Sequence, residues 1–94
     1  MTRKACHCYL SGIVQGVGMR FNIKQIAEEL GISGGYVRNL IDGRVEVYAE
    51  GEEERLQEFV KVMENDDVGV GKIDQVEKQI IEPRENLSKF EIRR

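Results

Sequence analysis

The stretch GYVRNLIDGRVEVYAEG, Gly35–Gly51, decides the fold. Two runs of strand-forming residues flank Asp42-Gly43, a dipeptide that accepts positive φ angles and so closes tight β-hairpins. In the second run Val45, Val47 and Ala49 face one way, and Glu46, Tyr48 and Glu50 face the other. The first run ends at Asn39, and the alternation turns Arg38 away from it as a solvated charge.

The pattern extends in both directions. From about Ala5 to Ser11, Cys6, Cys8 and Leu10 alternate with His7, Tyr9 and Ser11, the period of a half-buried strand. Met19, Ile23, Ile26, Ala27 and Leu30 then recur at helical spacing, and Gly31 offers a C-cap. Beyond the hairpin, Leu56, Phe59, Val60 and Met63 form a second helical stripe. Glu52, Glu53 and Glu54 crowd its first turn, where negative charge suits the helix dipole. DDVGVG reads as a loop, KIDQVEKQII as a strand whose imperfect alternation suits a bulge, EPRENLS as a turn and KFEIRR as a short last strand.

The order β-α-β-β-α-β plus a small extra strand predicts an α+β, ferredoxin-like sandwich. Two helices cover one face of an antiparallel sheet of four strands and a short fifth. In this layout, with right-handed crossovers, the first strand lies beside the third, the hairpin pairs the third with the second, and each pairing is antiparallel. The first and second strands then run the same way, one strand apart. Their C-terminal ends share a sheet edge and lie about 10 Å apart. One ends at the turn VQGVGMRF, Val14–Phe21, and the other at Asn39.

Ninety-four residues fit a single domain, 1–94, with one core. A formal net charge of −3 argues against nucleic acid as a main partner, because phosphate-backbone binding needs a basic surface. The N-terminal stretch does not read as a signal peptide, and no window reaches the length of a membrane span, so a cytoplasmic protein is expected. A monomer is the default at this size. Cys6 and Cys8 share one face of their strand about 6.5–7 Å apart, a poor disulfide span, and His7 points to the other face. They read as small buried residues rather than metal ligands.

The turn carries the chemistry. Gly16 and Gly18 let the backbone take positive φ and approach a ligand, and successive N–H groups there can form an anion nest leading into a helix N-terminus. Arg20 adds a planar fork of donors suited to phosphate or carboxylate oxygens. The amide of Asn39, at the same sheet edge, can hold and aim a water molecule. No Ser-His-Asp set can be assembled, and no carboxylate sits in the turn or at the Asn39 strand end, so no metal site is expected. A reaction here must rest on positioning and electrostatics. The substrate must then be reactive already, as a mixed anhydride of a carboxylic acid and phosphoric acid is.

LSGIVQGVGMR (Leu10–Arg20) and GYVRNLIDGRVEVYAEG (Gly35–Gly51), with the closing FEIRR, resemble the two signatures and the end of the acylphosphatases, over nearly the whole chain. The resemblance implies hydrolysis of carboxyl-phosphate bonds with no metal, cofactor or covalent intermediate. It assigns phosphoryl binding to Arg20 and the turn residues Gln15, Gly16, Val17, Gly18 and Met19, and water positioning to Asn39. Met19 stands where the family usually has Phe, Ile23 where a hydroxyl is frequent, and DDVGVG lacks a common Gly-Pro. The expected partners are a small acyl phosphate or inorganic phosphate. Two other readings remain: a binding module that holds an anion without turnover, and an RNA-binding module, for which Tyr9 and Tyr48 would have to lie on an open sheet face.

Overall fold

Asp42 closes the central hairpin through its own side chain. Its Oδ1 accepts the Arg44 N–H at 3.0 Å, and Gly43 takes φ 95°. The hairpin joins β2 (Gly34–Asn39) to β3 (Val45–Glu52) in the computed structural model, which describes residues 2–94. With β1 (Arg3–Ile13), β4 (Lys72–Ile81) and β5 (Phe90–Arg93) these strands form one sheet in the order β4-β1-β3-β2-β5. The first strand is thus beside the third, as the ferredoxin-like arrangement predicts. The β1–β4 register shifts between Ser11 and Gly12, which is the bulge that the uneven alternation of β4 predicts.

Helices α1 (Met19–Glu29) and α2 (Glu53–Glu64) cover one face. Cys6, Cys8 and Leu10 of β1 and Val45, Val47 and Ala49 of β3 meet the α1 and α2 stripes in one fully buried core. Ile23 is fully buried in that core, where it makes apolar contact only. Both cysteines are free and buried. The neighbouring Cys8 and burial hold the Cys6 thiol above its ordinary pKa, and it stays neutral. No helix among the described residues is long and apolar enough to cross a membrane.

One strand differs from expectation: β5 pairs with β2 in parallel, so the sheet is not wholly antiparallel. The connector 82–89 leaves β4 where Ile81 opposes Ala5 and delivers Phe90 beside Gly35, at the same end of the sheet. The chain therefore reverses relative to β4 and runs with β2. It crosses so close that a Cβ on Gly34 would lie 2.1 Å from the Leu87 carbonyl oxygen.

The crossing also closes part of the face opposite the helices. Tyr48 and Glu50 are fully buried, and Tyr36 stacks on Tyr48 with ring centroids 5.5 Å apart, so these rings offer no platform for stacked bases. A carboxylate without water needs compensation. Glu50 accepts the backbone N–H groups of Glu85, Asn86 and Leu87 at 3.1, 3.0 and 2.7 Å, the Tyr48 hydroxyl, and Arg3 at 3.3 Å. Burial pushes its pKa up, but the Tyr48 and backbone hydrogen bonds outweigh that and leave it below the ordinary carboxylate value. Glu46 is similar. Burial raises its pKa, and hydrogen bonds from His7 and Arg38 lower it further than burial lifts it. Arg38 is thereby an ion-pair partner rather than a free surface charge.

Both carboxylates have folded-state pKa values below their unfolded ones. Their contribution is complete above the unfolded pKa of about 4.3 and fades as pH falls through the lower folded values. Urea midpoints should fall between pH 6 and pH 3. Glu50→Gln should cost about 2 kcal/mol or more at pH 6 and narrow the difference between the two pH values. An unchanged acid limb in that variant would remove Glu50 from the account.

Candidate active site

The turn is pinned at both ends by apolar side chains. Val14 and Met19 are almost fully buried, and between them Gly16 and Gly18 adopt φ 75° and 81°. An L side chain is strained at such angles, which is why glycines stand there. Gly18 is the N-cap of α1, and the Asn22 N–H bonds the Gly18 carbonyl at 3.1 Å. The N–H groups of Met19, Arg20 and Phe21 precede that first helical bond and lie at the positive end of the helix.

Neighbouring segments brace the turn from outside. Gln15 Nε2 donates to the Leu40 and Arg44 carbonyls at 2.7 and 2.9 Å, which ties the turn to the hairpin. Asn22 Nδ2 donates to the Val68 carbonyl at 3.2 Å, which ties α1 to the loop before β4. Gly71 of that loop approaches so closely that a Cβ would lie 2.2 Å from the Ile13 carbonyl oxygen and 2.8 Å from Val17 Cγ2. The loop without Gly-Pro thus still forms a wall behind the turn, with Gly71 supplying the close contact.

A cleft of about 280 Å³ opens where these parts meet. Gly16, Gly18, Met19 and Arg20 line it from the turn, and Asn39 lines it from the end of β2. The structure therefore joins the two sequence-predicted walls. Gln15 and Val17 fall outside the lining, and the Gln15 side chain acts as the brace just described. Four further lining residues were not among the predicted site residues: Val14, Phe21, Ile92 and Arg94. The last two arrive because β5 runs parallel to β2. Its register opposes Arg38 with Arg93, so Arg94 follows beside Asn39 at roughly the 4.8 Å spacing of paired strands. The signal available was the alternation in FEIRR, which sets Ile92 and Arg94 on one face.

The cleft is cationic and has no counter-ion of its own. Neither Arg20 nor Arg94 has a carboxylate within 4.0 Å among the described residues, whereas Arg93 next door pairs with Glu91 and Glu85 at 3.5 and 3.7 Å. Asn39 Oδ1 is buried without a hydrogen-bond partner, an arrangement that costs free energy unless a ligand donor meets it. The lining holds no carboxylate, imidazole, thiol or hydroxyl side chain. Such a site can bind a tetrahedral oxyanion through N–H groups and guanidinium and can accept a hydrogen bond from water, but it offers no protein nucleophile.

Comparison with known proteins agrees with this geometry. The family model described as Acylphosphatase matches residues 6–92. The acylphosphatase of Caldanaerobacter subterraneus subsp. tengcongensis is 39% identical over 90 residues, 96% of this chain and 98% of the relative. That of Legionella pneumophila (strain Corby) is 57% identical over 60 residues, which is 63% of this chain and 65% of the relative's length. The crystal structure of acylphosphatase from Bacillus subtilis superposes with a TM-score of 0.85 at 31% identity, over 97% of this chain and 99% of that one.

The Gln15 brace is testable apart from any chemistry. Gln15→Ala leaves the Leu40 and Arg44 carbonyls without this donor and frees the turn. It should lower stability by about 1–3 kcal/mol in urea unfolding. It should also weaken phosphate binding in calorimetry severalfold, although Gln15 does not line the cleft. Phosphate affinity equal to that of the parent would show that the turn holds its shape without the brace.

Proposed function

The chain belongs to the acylphosphatase family, and we propose that it hydrolyses acyl phosphates to a carboxylate and inorganic phosphate in the cleft between Arg20 and Asn39. The observation that carries the reading is the pairing of an unpartnered guanidinium with a buried, unpartnered amide oxygen across one small cavity. The phosphoryl oxygens take the helix N-terminal N–H groups and the Arg20 fork. Asn39 Oδ1 accepts a hydrogen bond from a water molecule and turns a lone pair of that water toward phosphorus.

The reaction balances without further participants. The water oxygen forms a bond to phosphorus, and the bond from phosphorus to the acyl oxygen breaks with its electron pair left on the carboxylate. An acyl phosphate dianion and one water give one carboxylate anion and one dihydrogen phosphate anion, and both water protons stay with the phosphate. A carboxylate is a weak base, so it departs without a general acid. The lining accordingly needs neither His nor Glu. Charge building on the phosphoryl oxygens is stabilised by dipoles and a guanidinium already in place, which avoids reorganisation at the moment of reaction. Every residue invoked comes from one protomer, so a monomer suffices. Two free buried thiols suit a reducing cytoplasm.

Hydrolysis of benzoyl phosphate should proceed in the presence of a chelator. Asn39→Ala should lower kcat about 100-fold or more while competitive inhibition by inorganic phosphate changes little. Arg20→Ala should weaken that inhibition about tenfold or more. Phosphate binding with no turnover by the parent protein would favour the anion-binding module instead.

A further inference from the structure

An acyl phosphate has two halves, and the contacts described so far hold only one. The other is joined to phosphorus through a single oxygen, so it must lie against whatever borders the phosphoryl pocket. Two side chains there are apolar and exposed to solvent: Phe21 at 65% and Ile92 at 38%. Neither contributes to the main buried core, and exposing a large apolar side chain forgoes the stabilisation that burial brings.

Their placement is fixed by parts of the fold that are themselves well anchored. Phe21 follows Arg20 in the first turn of α1, so its backbone is set by the same helix start as the phosphoryl donors. Ile92 opposes Val37 across the β2–β5 pairing and shares its face with Asn39. Its strand is held by Phe90, buried edge-to-face against Phe59, and by Arg93, whose guanidinium lies 4.2 Å from the centre of the Tyr36 ring. The two apolar groups thus border the same cleft as the phosphoryl donors, one from α1 and one from β5.

On the strength of the hydrolase reading above, we propose that Phe21 and Ile92 form an acyl subsite, and that the preferred substrates are acyl phosphates with an apolar aliphatic or aromatic acyl group. The cleft is open, so the subsite covers one side of the acyl chain rather than enclosing it. Each methylene laid on it gains part of a full burial. Benzoyl and butyryl groups have surface to offer there, and an acetyl group has almost none.

The test is a chain-length series of acetyl, propionyl, butyryl and hexanoyl phosphate. In the parent protein kcat/KM should rise about twofold per added methylene until the chain outruns the two side chains. Phe21→Ser and Ile92→Ser should each flatten that rise, so that hexanoyl phosphate loses several-fold more kcat/KM than acetyl phosphate does. Ile41 supplies the control. It is fully exposed in the hairpin beyond Asn39 and does not line the cleft, so Ile41→Ser should keep the slope. Turnover of acetyl phosphate with no slope in the parent overturns the subsite and spares the hydrolase reading. Equal losses for acetyl and hexanoyl phosphate in Phe21→Ser, or a flattened slope in Ile41→Ser, overturn it as well. No turnover of any member overturns both.

Discussion

Three strands of this sheet run in one direction, and the rest follows from that constraint. Antiparallel pairing of both β1 and β2 with β3 makes β1 and β2 co-directional, and the connector 82–89 makes β5 co-directional with both. Their C-terminal ends therefore meet at one edge and bring the glycine turn, Asn39 and Arg94 together. A sheet with β5 reversed would lose one wall of the cleft. The buried Glu50 matters for this reason although it is remote in sequence from the site. It accepts three backbone N–H groups of the segment that turns the chain around before β5.

The site contains little that can titrate or react, and this sets what it can do. Its parts are backbone donors at a helix start and, among the described residues, two guanidiniums without carboxylate partners and one amide oxygen without a donor. These groups hold and orient. They cannot supply a nucleophile or relay a proton through a side chain. Bond cleavage must draw on reactivity already present in the substrate, and a carboxyl-phosphate anhydride has it. The unsatisfied Asn39 oxygen and the crowding of positive charge are costs in the empty protein that an anionic ligand with its water would relieve.

Most of the fold was legible because each signal was local. Alternation in Cys6–Leu10 and Val45–Ala49, the stripes of Met19–Leu30 and Leu56–Met63, and the Asp42-Gly43 turn each follow from the geometry of a single element. Arg20 and Asn39 were legible once strand order fixed where two elements end. The direction of β5 was hidden, because EPRENLS says that the chain turns but not across which strands it passes. Arg94 and Ile92 were missed with it. Gln15 was placed in the turn correctly, but its side-chain contact with the Leu40 and Arg44 carbonyls depends on two elements meeting in space. The burial of Glu50 was equally unreadable, since on a strand an alternating Glu ordinarily signals an open face.

The proposed chemistry stands on direct attack at phosphorus by a water molecule aimed from Asn39. Hydrolysis of benzoyl phosphate in water enriched in oxygen-18, followed by mass spectrometry of both products after a single turnover, tests it most directly. Attack at phosphorus puts one labelled oxygen in the inorganic phosphate and none in the benzoate. Label in the benzoate would place the attack at the carbonyl carbon, and the arrangement of Arg20 and Asn39 described here would then be wrong.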